Sequence, residues 1–81
     1  MFIGIKMPRL SETSDDYKIM KVFCQVGDVV KKGDLFAEVE TDKATMPVCF
    51  YNSGKITEIN VKAGDVVRYN SMMGVLDEPE K

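Results

Sequence analysis

The chain has 81 residues, of which 44% are apolar and 30% charged, a balance typical of one small globular domain with little room for a deep catalytic cleft. Its net charge is −2 and its basic residues are scattered, so we expect no nucleic-acid partner, and no apolar run is long enough to cross a membrane. The chain has no histidine, the commonest general base and metal ligand, and we expect neither a metal site nor a stand-alone enzyme.

Eight short β-strands are predicted along the chain. The run at 35–40 places Leu35, Ala37 and Val39 on one face of a strand, with the period of two that is typical of β-structure. Similar short runs rich in valine and isoleucine are separated by Gly-Asp and related turns. The predicted strands are Phe2–Lys6, Tyr17–Cys24, Val29–Val30, Leu35–Thr41, Thr45–Phe50, Lys55–Val61, Val66–Val67 and Met72–Leu76. So many short strands predict an all-β fold, a small sandwich or a flattened barrel.

The second half of the chain repeats the first with a shift of 37 residues, which aligns VGDVVKKGDL with AGDVVRYNSM. The strand alternation is interrupted at the same place in each half. In the first half the interruption lies between Ile19 and Val22, and in the second it lies between Ile56 and Ile59. The repeated interruption predicts a β-bulge in each half. We therefore expect a pseudo-symmetric domain whose two halves share one core.

Three residues inside the predicted strands carry further expectations. Cys24 and Cys49 each lie in an apolar run, which predicts two small buried side chains in a reducing compartment, with a disulfide between them as the alternative. Pro47 cannot donate a ladder hydrogen bond, so its strand should lie at a sheet edge or begin at this residue.

The sequence ETDKATM joins the first half to the second and predicts a tight hairpin turn at Asp42–Ala44 that contains neither glycine nor proline. A two-residue type I′ turn needs a positive φ at both of its central residues. We therefore predict a strained backbone at Asp42 and Lys43, and strain at an exposed tip indicates that the Lys43 side chain is functional. From these residues alone, a solvated surface lysine beside a turn-forming aspartate stays an alternative.

Three segments together resemble the lipoyl domain of 2-oxo acid dehydrogenase complexes over nearly the whole chain, and they are MPRLSET, VGDVVKKGDLFAEVETDKATM and GKI…VKAGDVV. The resemblance implies a flattened barrel, or barrel-sandwich hybrid, of two four-stranded sheets related by a pseudo-twofold axis. It places the lipoyl domain at residues 1–77. Residues 78–81, which belong to the charged sequence DEPEK, are expected to be a frayed tail or the start of a linker.

The resemblance also implies a covalent cofactor. In the family, the lysine of the Asp-Lys-Ala motif carries lipoic acid in amide linkage, and in this chain that lysine corresponds to Lys43. Asp42 and Ala44 flank it and are expected to be recognised by a lipoate ligase or lipoyl transferase. The domain itself is then a non-catalytic carrier, whose swinging arm shuttles acyl groups and electrons between active sites.

Partners and location follow from the same resemblance. The implied partners are the decarboxylase and dihydrolipoamide dehydrogenase components of the complex, and the isolated domain is expected to be monomeric. The candidate contacts for the decarboxylase are four acidic residues of the first half, Glu12, Asp15, Asp16 and Glu40, with a solvated acidic surface as the alternative. The parent chain is expected to be a dihydrolipoyl acyltransferase, most like that of pyruvate dehydrogenase, in the bacterial cytoplasm or the mitochondrial matrix.

Several alternatives stay open at the level of sequence. A biotinyl carrier domain has a similar fold, but its attachment lysine lies between two methionines, whereas Lys43 lies between Asp42 and Ala44. The lipoyl protein of glycine cleavage is longer and has extra helical segments. Branched-chain, 2-oxoglutarate and acetoin complexes share much of the pattern, and a lipoyl domain can also be fused to dihydrolipoamide dehydrogenase. An unmodified β-sandwich interaction domain is the alternative from a different class.

Overall fold

The computed structural model describes residues 1–79, and within this range it contains eight strands and no helix. The strands are β1 (Phe2–Lys6), β2 (Asp16–Val22), β3 (Val29–Val30), β4 (Leu35–Glu40), β5 (Thr45–Cys49), β6 (Gly54–Ile59), β7 (Val66–Arg68) and β8 (Met72–Asp77). All eight predicted strands are confirmed, with ends that differ from the prediction by no more than two residues. Accordingly, the described part of the chain has no helical segment that could cross a membrane.

The strands form two four-stranded antiparallel sheets, one with the order β1-β8-β6-β3 and the other with the order β5-β4-β2-β7. The shift of 37 residues superimposes β2, β3 and β4 on β6, β7 and β8, and β1 then corresponds to β5. The two sheets therefore have the same strand order, as a pseudo-twofold axis requires. The predicted fold class, two four-stranded sheets with pseudo-twofold symmetry, is confirmed.

The core is one apolar cluster to which both sheets contribute residues. Its members occur in equivalent pairs, such as Ile19 with Ile56 and Phe36 with Met73, and these four side chains are fully buried. The ring of Phe36 packs edge-on against that of Phe50, with centroids 5.3 Å apart. Because burial of one such side chain contributes about 1.5–3 kcal/mol, a domain this thin depends on each of these pairs.

The bulges predicted in each half are present at equivalent positions. In β2 the register shifts between Ile19 and Lys21, and in β6 it shifts between Ile56 and Glu58. A second equivalent pair, which the sequence did not predict, lies in β4 and β8. Its extra residues are Phe36 and Met73, so that the bulge turns two consecutive residues of each strand towards the core.

The two Gly-Asp turns connect one half of the domain to the other. Gly27 and Gly64 have φ values of 99° and 98°, a left-handed conformation that glycine adopts without steric cost. The amide of Gly27 donates to the carbonyl of Ile56, and the amide of Gly64 donates to the carbonyl of Ile19, each over 2.8 Å. Each turn is therefore held by the bulged strand of the opposite half.

The ends of the described chain are paired with each other. β1 and β8 are neighbours, with Phe2 opposite Asp77, and the amide of Glu78 donates to the carbonyl of Met1 over 2.7 Å. The tail predicted at residues 78–81 thus begins with a residue that is hydrogen-bonded to the start of the chain. Residues 80 and 81 of that tail lie outside the described range.

The expectations for Pro47 and for the two cysteines have different outcomes. Pro47 lies in β5, which is the edge strand of its sheet, as predicted. The prediction of two buried cysteines is wrong for Cys49, because the register of β5 turns Val48 inward and leaves Cys49 exposed. Cys24 is half-buried, both thiols are free, and burial, aided by the charge of Asp28, raises the pKa of the Cys24 thiol to about 11.

Gly74 is the equivalent of Ala37, yet its position has no room for a methyl group. A Cβ at Gly74 would lie 2.4 Å from the carbonyl oxygen of Glu58 in the neighbouring strand. We expect Gly74→Ala to lower the free energy of unfolding by about 2 kcal/mol, because rigid backbone must move to accommodate it. Urea denaturation followed by circular dichroism measures this change.

Gly4→Ala is the matched control for that measurement. A Cβ at Gly4 would meet the flexible end of the Met72 side chain at 2.8 Å, and that end can move aside. We expect the control to cost less than half as much as Gly74→Ala. Equal losses in the two variants would contradict the assignment of a rigid backbone contact at Gly74.

Candidate functional site

The turn between β4 and β5 places Lys43 at an exposed tip. The last ladder pair of the hairpin is Glu40 opposite Thr45, and beyond it the amide of Thr41 donates to the carbonyl of Ala44 over 2.9 Å. Within residues 1–79, the Lys43 ammonium group takes part in no hydrogen bond and no ion pair. The predicted position of Lys43 at the tip of a hairpin is thus confirmed, and its amine faces solvent.

The predicted backbone strain at Asp42 and Lys43 is wrong. Among the non-glycine residues of the described chain, a positive φ occurs at Asn70 and not at the turn. The Thr41 hydroxyl accepts hydrogen bonds from the amides of Lys43 and Ala44, over 3.2 and 3.1 Å, and donates to the Ala44 carbonyl over 2.8 Å. Because this side chain takes over backbone hydrogen bonds of the turn, no left-handed residue is needed.

The Asp42 carboxylate binds the loop between β1 and β2. The Ser11 hydroxyl donates to Oδ1 of Asp42 over 2.7 Å, and the Thr13 hydroxyl donates to Oδ2. Each carboxylate oxygen therefore has its own donor, and we call these three side chains the Asp42 clasp. Ser11 and Thr13 belong to the motif MPRLSET, and no role was predicted for them from the sequence. Only their place in that motif, ahead of β2, could have drawn attention to them.

A buried tyrosine holds the base of the same loop. Tyr17 is fully buried in β2, and its hydroxyl accepts hydrogen bonds from the amides of Leu10 and Ser11 over 3.0 and 3.1 Å. The hydroxyl also donates to the carbonyl of Ser14 over 2.8 Å. The loop is therefore attached to the core by Tyr17 and to the lysine turn by Asp42.

Two of the four predicted recognition residues are paired within the domain. Asp15 forms an ion pair of 2.7 Å with Arg9, whose guanidinium also lies 4.4 Å from the centre of the Tyr69 ring. Asp16 lies 3.7 Å from the guanidinium of Arg68 on the neighbouring strand. Both pairs are exposed and contribute little stability, but they partly neutralise the charge that these carboxylates present to a partner.

The other two predicted recognition residues lie in the segments that the clasp joins. Glu12 lies between the two hydroxyl residues of the loop and is exposed. Glu40 ends β4 beside the lysine turn, is exposed, and lies opposite Lys18 in the ladder. Within residues 1–79, neither carboxylate forms an ion pair. Recognition of a partner by these residues stays a prediction.

The chemistry available at this end of the domain is that of one amine. Within residues 1–79 there is no cluster of three or more His, Cys, Asp or Glu side chains that could hold a metal ion. A groove of about 670 Å³ lies along β3 and β6, and none of its lining residues belongs to the turn. What the turn offers is the Lys43 Nζ atom on a fixed backbone, a group suited to amide formation with an activated carboxylic acid.

Comparisons with known proteins agree with this geometry. The family model described as "Biotin-requiring enzyme" matches residues 3–76. The dihydrolipoyllysine-residue acetyltransferase component of the pyruvate dehydrogenase complex of Rhizobium meliloti is 44% identical over 94% of this chain and 17% of its own length. The succinyltransferase component of the 2-oxoglutarate dehydrogenase complex of Bartonella vinsonii is 34% identical over 95% of this chain and 19% of its own length.

Two further matches extend the comparison. The pyruvate dehydrogenase E1 component subunit beta of Rhizobium meliloti is 40% identical over 94% of this chain and 17% of its own length. The solution structure of the lipoyl domain of the 2-oxoglutarate dehydrogenase complex from Azotobacter vinelandii superimposes with a TM-score of 0.75 at 33% identity, over 96% of this chain and 99% of that one. The chain thus spans about a sixth of the relatives' length but the whole of the solved domain.

The charge state of the clasp is set by its hydrogen bonds. The hydroxyl of Thr13 and then that of Ser11 hold the pKa of the Asp42 carboxyl below its ordinary value of 3.8, and the charge of Lys43 acts in the same direction. A carboxyl whose pKa is lowered by folding stabilises the folded state in full above its unfolded value and loses that contribution as the pH falls through the folded value. The clasp should therefore lose this contribution only at a pH below the ordinary pKa of the carboxyl.

A carbon-13 NMR titration of the Asp42 carboxyl tests this expectation. In the unmutated 81-residue chain (the parent of the variants) we expect a titration midpoint below 3.8. In Thr13→Val we expect a midpoint higher than that of the unmutated chain, because one donor to the charged carboxylate is lost. Thr57→Val, on the opposite sheet, removes an exposed threonine hydroxyl that does not contact Asp42 and should leave the midpoint unchanged. The same midpoint in the parent and in Thr13→Val would contradict the assignment.

Proposed function

Because the chain belongs to the biotin and lipoyl attachment family, whose model matches residues 3–76, we propose that it is a lipoyl carrier domain with Lys43 as its attachment residue. The observation that carries this proposal is the exposed amine at the tip of the β4–β5 hairpin, on a backbone that Thr41 and Asp42 hold in place. The similarity to a solved lipoyl domain, over 96% of the chain, supports the same assignment.

The residues at the turn fit an amide-linked acid. Amide formation requires the neutral amine of Lys43 to attack an activated carboxyl carbon, after which the activating group leaves and a proton is lost from Nζ. The amide bond removes the positive charge of the side chain. Once attached, lipoic acid supplies the dithiolane that accepts acyl groups and electrons. The domain supplies a lysine that is exposed on a fixed turn and, within residues 1–79, has no ion pair. Asp42 and Ala44 are proposed to be recognised by the ligase.

Lipoic acid is favoured over biotin by the residues on both sides of Lys43. A biotinyl domain is expected to carry methionine at both of these positions, whereas Asp42 and Ala44 occupy them here and Met46 lies three residues away. Asp42 is engaged by Ser11 and Thr13, which a methionine could not be, because a thioether is only a weak acceptor. Three of the four proteins described above are likewise named for dihydrolipoyllysine or lipoyl groups.

We propose that the parent protein belongs to a 2-oxo acid dehydrogenase complex, in the first place that of pyruvate. The highest identity among the relatives described here, 44%, is to an acetyltransferase component of such a complex, and an E1 β subunit follows at 40%. The parent chain is proposed to be a dihydrolipoyl acyltransferase, in a bacterial cytoplasm or a mitochondrial matrix. Its partners would be the decarboxylase, the dihydrolipoamide dehydrogenase and a lipoylating enzyme.

The charge near the turn supports weak docking to a basic entrance. Glu12 and Glu40 are exposed and lie in the segments joined by the clasp, and the whole chain has a net charge of −2. Negative charge of this kind speeds encounter with a positively charged active-site entrance. Because the charges are exposed, such docking is weak and decreases with salt, which suits a carrier that must leave one active site for the next.

Lys43→Arg tests the attachment site. After incubation with a lipoate ligase, lipoate and ATP, we expect the unmutated 81-residue chain (the parent of the variants) to gain the mass of one lipoyl group. Lys43→Arg should gain none, because a guanidinium is not acylated by the ligase. Lys62→Arg, in an exposed loop after β6, should be modified like the parent. Modification of Lys43→Arg, or a gain of biotin instead of lipoyl when a biotin ligase is also present, would overturn the proposal.

Reductive acylation by purified decarboxylases tests the choice of complex. The lipoylated chain is offered to the decarboxylase components for pyruvate, 2-oxoglutarate and branched-chain 2-oxo acids, each with its own substrate. We expect kcat/KM with the pyruvate enzyme to be at least about tenfold higher, which corresponds to about 1.4 kcal/mol of discrimination. A higher value with either of the other enzymes would assign the domain to that complex instead.

A further inference from the structure

The Asp42 clasp joins two segments that are far apart in the chain. Resting on the proposed function, we propose that Ser11 and Thr13 are positioning residues for reductive acylation. By holding Asp42, their hydroxyls fix the β1–β2 loop to the lysine turn, so that the decarboxylase meets Glu12 and Lys43 as parts of one rigid surface.

The geometry of the clasp fixes the orientation of Asp42. A carboxylate that accepts one hydrogen bond on each oxygen cannot rotate without losing one of them, so the orientation of Asp42 is fixed. Asp42 is covalently joined to Lys43, whose amide is bound to the Thr41 hydroxyl over 3.2 Å. The backbone at the lysine is therefore held by the clasp, through Asp42, and by the Thr41 hydroxyl, through the amides of Lys43 and Ala44.

The two hydroxyl residues differ in what holds them in position. Ser11 is buried, and its amide is bound to the hydroxyl of Tyr17 over 3.1 Å, so its position is set by the core. Thr13 is exposed, and within residues 1–79 the hydrogen bonds of its side chain and amide other than that to Asp42 go to the Ser11 hydroxyl, both over 3.2 Å. The order of the loop tip at Thr13 thus depends on the clasp, whereas the base of the loop does not.

Glu12 is the exposed acidic residue of the segment that the clasp holds. It lies between Ser11 and Thr13, the two residues bound to Asp42, so opening the clasp frees the carboxylate of Glu12 relative to Lys43. A recognition charge that moves independently of the acyl acceptor weakens docking, because the partner must then order both. Loss of the clasp should therefore raise the KM for the lipoylated domain more than it lowers kcat.

The experiment compares the unmutated 81-residue chain (the parent), the double variant Ser11→Ala with Thr13→Val, and the control Thr57→Val. All three are lipoylated, checked by intact mass, and assayed with the pyruvate decarboxylase component and pyruvate. We expect the double variant to show a KM about tenfold above that of the parent with kcat changed less than about twofold, the factor of ten being that of one charge-assisted hydrogen bond. Nitrogen-15 relaxation should show new motion at Thr13 and at the lysine turn, but not at Leu10.

The outcomes separate this inference from the proposed function. If the unmutated 81-residue chain is not lipoylated, the proposed function is overturned and the inference is overturned with it. If the parent is lipoylated and the double variant has the KM of the parent, only the inference is overturned. A double variant with a lower melting temperature and a lower kcat, but with the KM of the unmutated domain, would likewise assign the clasp to folding alone. A shift in KM in Thr57→Val as large as that of the double variant would also overturn the inference.

Discussion

The constraint on which the structure depends is the exchange of turn hydrogen bonds between its two halves. The amide of Gly27 binds the carbonyl of Ile56, and the amide of Gly64 binds the carbonyl of Ile19, both over 2.8 Å and both from a left-handed glycine. The strand that follows each turn also pairs in the sheet of the opposite half. Neither half can therefore complete its own sheet, and the contacts that stabilise the domain form only when the whole chain has folded.

The same symmetry relates the lysine turn to a second corner of the domain. Under the pseudo-twofold relation between the two sheets, the pair Glu40 opposite Thr45 at the end of the hairpin corresponds to the pair Asp77 opposite Phe2. At the first corner the chain continues through the turn, and at the second corner it has its two described ends. Both corners are therefore built on equally well-paired strands.

The local residue pattern predicted the parts of the fold that depend on neighbours in sequence. The eight strands, the bulges after Ile19 and Ile56 and the edge position of Pro47 follow from periodicity and from the chemistry of single residues. The exposure of Cys49 was missed because a one-residue change of register reverses the face of a strand. The strain at the turn was wrongly predicted because Thr41 was assigned to the strand. Its hydroxyl in fact accepts hydrogen bonds from the amides of Lys43 and Ala44, so the turn needs no left-handed residue. The clasp was missed because its residues are far apart in sequence, where local patterns carry no information.

The position of Lys43 combines a fixed backbone with an exposed side chain, and the proposed attachment of a swinging arm needs both. The clasp and Thr41 bind the polypeptide on each side of the lysine, while within residues 1–79 the ammonium group itself has no hydrogen-bonding partner. A fixed base sets where the arm begins, and so raises the effective concentration of its end at a docked active site. An ammonium group without a hydrogen bond or ion pair in residues 1–79 has no such bond there to break before it enters that site, so the side chain keeps its rotamer freedom until entry. Strain in the turn would have served neither purpose, which is consistent with a turn stabilised by a hydroxyl instead of by left-handed residues.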